Sequence, residues 1–207
     1  MSKNLLNSQA LLERRKNIVA NGVGVFNTAT VSSAKGAIIT DVDGNQLIDF
    51  AGGIGVVNAG HCPDPVVKAI KEQADKYLHT SFNVVTYEPY IKLCEELVEI
   101  LPHGEKTKAM LVSTGAEAVE NAIKIARQAT KKQGILCFTD AYHGRTMMAM
   151  TLTSKVDYKL NCGPFSPEVY RIPFPNYYRY NEGKTMDEFV EWKLASLMAS
   201  TKNQVDP

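Results

Sequence analysis

Two short stretches hold the residue types from which a binding site could be built. In STGAEAVENAI (residues 113–123) a hydroxyl pair and a glycine run into a helical pattern with acidic residues at its start. Gly115 and Ala116 are small at the first turn, which leaves backbone N–H groups open to close approach by an anion such as phosphate. The same spacing satisfies a capping box between Thr114 and Glu117, in which case the acidic first turn serves only to offset the helix dipole. Both readings stay open on these residues alone. The second stretch, DAYHGRT (140–146), puts Tyr142, His143 and Arg145 in one short loop beside a glycine. Taken singly, they read as a core-edge aromatic, a satisfied structural histidine and a solvated surface charge. Clustered, they favour a planar anionic ligand with a carboxylated co-substrate, because an aromatic face stacks and a guanidinium forks onto a carboxylate.

The surrounding elements give the two loops a common location. KAMLVS (108–113) reads as a short buried strand, AEAVENAIKIARQATKK (116–132) as a helix stopped by Gly134, and ILCFTD (135–140) as a second strand. Strand, helix and strand in that order make a βαβ unit. Both loops then emerge at carboxyl ends of strands, where open α/β sheets collect their ligands. The glycines do not form a Walker loop, and GGIGVVNAG does not fit the dinucleotide fingerprint. Upstream, AKGAIITDVDGNQLIDFAGG has two β-rich runs around Asp43-Gly44, a hairpin signal. Helices are expected from Pro65, with Val66, Val67, Ile70 and Ala74 on one face, and from Pro89 through Leu93, Leu97 and Ile100, stopped by Pro102-His103-Gly104. Leu5, Leu12 and Ile18 fit a surface helix at the start. Residues 163–180 are rich in Pro and Tyr, with one strand at EVYRIP, and a last amphipathic helix spans about Met186 to Met198. There are no repeats and no low-complexity tract.

Composition bounds the function classes. The 207 residues are 44% hydrophobic and 22% charged, as in an ordinary globular protein of one large domain or two small ones. With 23 basic and 22 acidic residues scattered along the chain, the net charge of +1 advertises neither nucleic acid nor an anionic membrane. Cys62, Cys94, Cys137 and Cys162 lie far apart, without the paired spacing of a zinc site or redox pair, so reduced thiols and a cytoplasmic location are expected, with no metal. The first residues contain no apolar run of signal-peptide or membrane length.

DVDGNQLIDFAGGIGVVNAGH, HTSFNVVTYEPY, STGAEAVENAIKIAR and AYHGRT together resemble the class III (ω-amino acid) aminotransferases of the pyridoxal-phosphate fold type I, most closely the 4-aminobutyrate aminotransferases. The resemblance runs from about Arg14 to Pro175 and covers the first half of a family member. It implies an incomplete α/β fold: residues 1–60 as the N-terminal segment and hairpin of the small domain, and 61–207 as the first part of the large cofactor-binding domain. It further implies pyridoxal 5'-phosphate as cofactor, Gly115 and Ala116 as its phosphate ligands through backbone N–H groups, and Tyr142 stacked on its ring. His143 would steady that loop, Arg145 would take the substrate carboxylate, and Ile54 would line the substrate pocket near a homodimer interface, although plain packing suits Ile54 almost as well.

The implied reaction moves the amino group of 4-aminobutyrate, or a related ω-amino acid, to 2-oxoglutarate; ornithine and acetylornithine are alternative donors because their aminotransferases share the HGRT loop. No catalytic residue is assigned, since the family's Schiff-base lysine belongs to a later segment and neither Lys124 nor Lys155 stands in a matching motif. Strands from that later segment lie between AMLVS and ILCFTD in the family, so unpaired sheet edges are expected here. The chain alone is therefore expected to be inactive, and the alternative is a non-catalytic remnant that binds phosphate ligands or pairs with an intact partner.

Overall fold

The computed structural model describes residues 6–104 and 106–202. Leu5 and residues 203–207 lie outside that set. The chain divides into two compact units, 1–86 and 87–207.

In the first unit, helix α1 (Leu6–Ile18) precedes a three-stranded antiparallel sheet of β1 (Ser33–Lys35), β2 (Ile38–Thr40) and β3 (Gln46–Ile48), in that order. The Asp43-Gly44 hairpin forms as expected between β2 and β3, in the register Ile38↔Ile48 and Thr40↔Gln46. Its turn is local chemistry. The buried Asp41 carboxylate accepts from the N–H groups of Asp43 and Asn45, and Gly44 supplies the left-handed φ of 82°. Asp43 accepts from the N–H groups of Asn7 and Ser8, so the turn caps α1; the Ser8 hydroxyl foremost, and then these backbone bonds, outweigh burial and hold its carboxyl below the usual value. Strand β1 was not anticipated, because SAK carries no alternating apolar pattern. A single turn, α2 (Gly52–Gly55), and helix α3 (Asp64–Ala74) complete the unit, with proline in the first turn of α3.

The second unit opens with α4 (Glu88–Ile100), again entered through proline. Helix α5 (Gly115–Thr130) leads into β4 (Ile135–Phe138). The crossover contains α6 (Met147–Leu152) and a 3-10 turn at Val156–Tyr158, and returns as β5 (Val169–Ile172), which pairs with β4 in parallel from Ile135↔Val169 to Phe138↔Ile172. A turn, α7 (Tyr177–Tyr180), and helix α8 (Met186–Lys202) follow. Ile123, Cys137, Met148 and Leu152 form one buried cluster, with Val119, Ile135 and Val169 packed against them.

Two expectations need correction. The run 108–113 joins no strand among the described residues, so the parallel unit is β4–α6–β5 and not one that starts at KAMLVS. A strand exists only through a partner, and this run is tied instead to α4, with the Leu111 N–H donating to the Tyr90 hydroxyl at 2.9 Å. Met110 and Val112 stay exposed. Nor does Gly134 stop α5. Lys131 takes the left-handed position (φ 61°) and donates its N–H to Arg127, while the Arg127 Nε donates to the Gln133 carbonyl at 2.9 Å. That side chain satisfies the helix end, so the glycine is not needed there.

Candidate functional site

The two loops meet. Thr114, which caps α5, Gly115, Ala116 and Val119 within it, and residues Tyr142 to Thr146 line one cleft of ≈ 660 Å³ within the second unit. No lysine lines it among the described residues.

At the α5 end the capping box forms and open backbone donors stand beside it. The capping box is present: the Glu117 N–H donates to Thr114 Oγ1 at 3.1 Å, and Glu117 Oε2 accepts from the N–H groups of Ser113 and Thr114. Ala118 donates to the Thr114 carbonyl. Gly115 and Ala116 find no protein acceptor among the described residues, so the cap uses the third and fourth N–H groups and leaves the first two open. Space is available, since a Cβ at Gly115 would meet nothing within 4 Å.

Gly144 sets the approach of the second loop. Its φ is 126°, and a Cβ there would lie 2.7 Å from the Ala116 Cβ and 3.1 Å from the Ala116 Cα and Ala149 Cβ. Only glycine allows the loop to come this close to the first turn of α5. Thr153, fully buried, clamps the same loop: its hydroxyl accepts from the His143 N–H at 3.0 Å and shares its one proton between the Gly144 carbonyl at 2.9 Å and the Ala149 carbonyl at 3.0 Å. Glu120 ties it to α5 by accepting from the Thr146 hydroxyl at 2.6 Å and from the N–H groups of Met148 and Ala149, which caps α6. Burial works to raise the Glu120 carboxyl, but the hydrogen bonds from Thr146, Ala149 and Met148, helped by the Lys124 charge, outweigh it and hold the group below its ordinary value. Sequence reasoning missed Gly144, Glu120 and Thr153 as site builders, because each acts through a contact distant in sequence.

Tyr142 is half exposed and meets the Tyr158 ring edge-on, centroids 5.7 Å apart. The Arg145 guanidinium lies over the same ring at 5.8 Å. The buried Nε2 of His143 has no partner among the described residues. Ile54 is not among the residues lining this cleft. It belongs to the first unit, 82% exposed, with φ 61° and ψ 54°, an unusual conformation for a β-branched residue. Asp49 holds that turn, accepting from the N–H groups of Ala51 and Gly52 and facing His61 Nε2 at 2.8 Å.

An open pair of N–H groups at a helix start, an orphaned buried imidazole nitrogen, an aromatic face and an exposed guanidinium form a donor set that fits a phosphorylated planar cofactor beside a carboxylate. Comparison with known proteins gives the class of protein. The family model for class III aminotransferases matches residues 18–206, and the chain belongs to that family. Its fold is therefore the pyridoxal-phosphate-dependent type I α/β fold, present in part, and pyridoxal 5'-phosphate is the family's cofactor.

Among particular relatives, the chain is 47% identical over 178 residues to a probable 4-aminobutyrate aminotransferase of Bacillus subtilis, covering 86% of this chain and 41% of that protein. It is 43% identical over 201 residues to a 5-aminovalerate aminotransferase of Pseudomonas putida, covering 97% and 46%. Among solved structures, an (S)-enantioselective ω-transaminase from Thermomicrobium roseum superposes with a TM-score of 0.78 at 28% identity, over 94% of this chain and 47% of that one. The chain spans less than half the length of each of these relatives.

Proposed function

We propose that residues 1–207 are the N-terminal part of an aminotransferase that moves the amino group of 4-aminobutyrate, or its five-carbon homologue 5-aminovalerate, to 2-oxoglutarate. The carrying observation is the convergence of open Gly115 and Ala116 N–H groups, Tyr142 and Arg145 on one cleft in a chain matched by the family over residues 18–206. In this reading Gly115 and Ala116 bind the cofactor phosphate, Tyr142 lies against the ring, and Arg145 receives the substrate carboxylate with its guanidinium fork. The His143 N–H, held by Thr153, steadies the ring-binding loop. Bound pyridoxal phosphate supplies the electron sink for a carbanion beside the substrate nitrogen. The chain's own contribution is orientation, which limits the geometries open to the reactants.

Ile54 belongs to the substrate pocket in this reading, completed in a homodimer, with residues 1–60 in the small domain, 61–207 in the large one, and the protein in the cytoplasm. Ornithine or acetylornithine is the alternative donor. A second reading, a non-catalytic chain that binds phosphate ligands or an intact partner, is favoured by the absence of lysine from the described cleft lining. The amine needed to carry the cofactor and move a proton would then come from outside these residues.

The test incubates the complete polypeptide that carries these residues, and separately residues 1–207, with cofactor, amino donor and 2-oxoglutarate, and follows glutamate formation. Turnover by the complete polypeptide and none by residues 1–207 is expected. Failure of the complete polypeptide with 4-aminobutyrate, 5-aminovalerate and ornithine alike defeats the assignment. Turnover by residues 1–207 within about tenfold of the complete polypeptide, a barrier difference of only about 1.4 kcal/mol, would mean that a lysine within this chain suffices.

A further inference from the structure

Arg145 is exposed and makes no ion pair and no side-chain hydrogen bond among the described residues; the contact that holds its head is the face of Tyr158, 5.8 Å from the ring centroid. A cation held by a π face keeps its N–H donors free, whereas one held by a carboxylate spends them. The same half-buried ring receives Tyr142 edge-on at 5.7 Å and an interplanar angle of 68°, and it carries a second cation, Lys155, at 5.0 Å. The Tyr158 hydroxyl has no protein partner among the described residues, so what the site uses is the ring. One side chain thus touches both residues that the functional reading assigns to ligand binding, and the Lys155 charge beside it favours an anion at the same place.

We propose that Tyr158 is the positioning residue of this site, holding the Arg145 guanidinium over its ring and the Tyr142 ring in a T-shaped contact so that the donor fork of Arg145 stays open to a substrate carboxylate. This rests on the reading of Arg145 as the carboxylate-binding residue. Tyr158 does not touch substrate in this account. It acts through Arg145 and Tyr142.

The test uses residues 1–207 with isotope-labelled arginine, and glutarate as the carboxylate probe. In the unmodified chain the Arg145 δ-methylene and Nε–H protons are displaced upfield by the ring, and glutarate moves the Nε–H signal. Tyr158→Phe keeps both. Tyr158→Leu removes the ring displacement and weakens the glutarate response by roughly two- to fivefold, the range of an exposed cation–π contact.

Arg145 signals without ring displacement in the unmodified chain overturn the proposal whatever the variants do, so it remains testable if Tyr158→Leu does not fold. An equal glutarate response in the unmodified and Leu chains, or equal losses in the Phe and Leu chains, overturns it as well. Ring displacement present but no response to glutarate removes the carboxylate reading of Arg145, and the positioning role with it; the two failures are therefore separable.

Discussion

Replacing Gly144 with alanine tests how the site is assembled. The new methyl group would stand 2.7 Å from the Ala116 Cβ and 3.1 Å from the Ala116 Cα and Ala149 Cβ, on a backbone with φ of 126°. Holding a side-chain residue in so sparsely populated a region costs about 1–3 kcal/mol, and overpacking adds a comparable 1–3 kcal/mol, so the unrelaxed cost is about 2–6 kcal/mol. That is a large share of a typical domain's stability. Relaxation is possible in one direction: the loop can lift away from the first turn of α5, which trades stability for an opened cleft. The assay therefore needs two readouts, urea unfolding followed by Trp192 fluorescence in the same unit and pyridoxal phosphate binding by equilibrium dialysis. Gly144→Ala should lose in at least one. Gly115→Ala is the control, with nothing within 4 Å of its Cβ, and should unfold at or slightly above the parent midpoint. Adding Ala116→Gly to Gly144→Ala removes the closest contact but leaves the φ penalty, so partial recovery is expected as a coupling term. A Gly144→Ala chain with the parent's midpoint and the parent's affinity would refute the argument that a close approach builds the cleft.

Other outcomes follow from the same contacts. Glu120→Ala orphans the N–H groups of Met148 and Ala149 and should cost about 2–3 kcal/mol in urea unfolding. Because the folded-state pKa of Glu120 lies below its unfolded value, its stabilisation is full above the ordinary glutamate range and fades as pH falls through the lowered folded value. The stability difference between the parent and Glu120→Gln should therefore narrow on acidification, as followed by unfolding at stepped pH. Thr153→Val keeps the shape but strips the hydroxyl from the His143 N–H and the Gly144 carbonyl; about 1–3 kcal/mol of lost stability is expected in the same assay. Glu117→Gln keeps a capping-box partner while removing a negative charge beside the open N–H groups, so phosphate should bind about two- to fivefold tighter by titration calorimetry. Under the proposed function, Arg145→Ala in the complete polypeptide should raise KM for the amino donor, because a bidentate carboxylate contact is lost, and steady-state kinetics with unchanged KM and kcat would defeat that assignment.

Local signals were legible in the sequence and long-range ones were not. The Asp43-Gly44 hairpin, the proline-entered helices α3 and α4 and the capped start of α5 depend on residues within about four positions of one another, and each forms where the residue types put it. The fold class came from motifs with that same local character. KAMLVS has the apolar content of a strand, but pairing depends on a neighbour that the run itself cannot specify. Gly134 misled because Lys131 took the left-handed position with help from Arg127, a side chain one turn earlier. Within the site, Gly115, Tyr142 and Arg145 could be singled out by type, yet the cleft depends on Gly144 against Ala116 and Glu120 against Thr146, pairs 28 and 26 residues apart. Tyr158 gave no signal at all, being one more tyrosine in a polar turn. Only its position under Arg145 distinguishes it.

The proposed phosphate site at the first turn of α5 is open to direct measurement. Titrating pyridoxal phosphate into the 207-residue chain while following backbone amides by two-dimensional NMR tests it directly. The largest displacements are expected at the Gly115 and Ala116 amides, with Tyr142 moving alongside, and inorganic phosphate should move the same two amides and compete. Binding that leaves Gly115 and Ala116 unmoved, or that inorganic phosphate does not compete for, would contradict it.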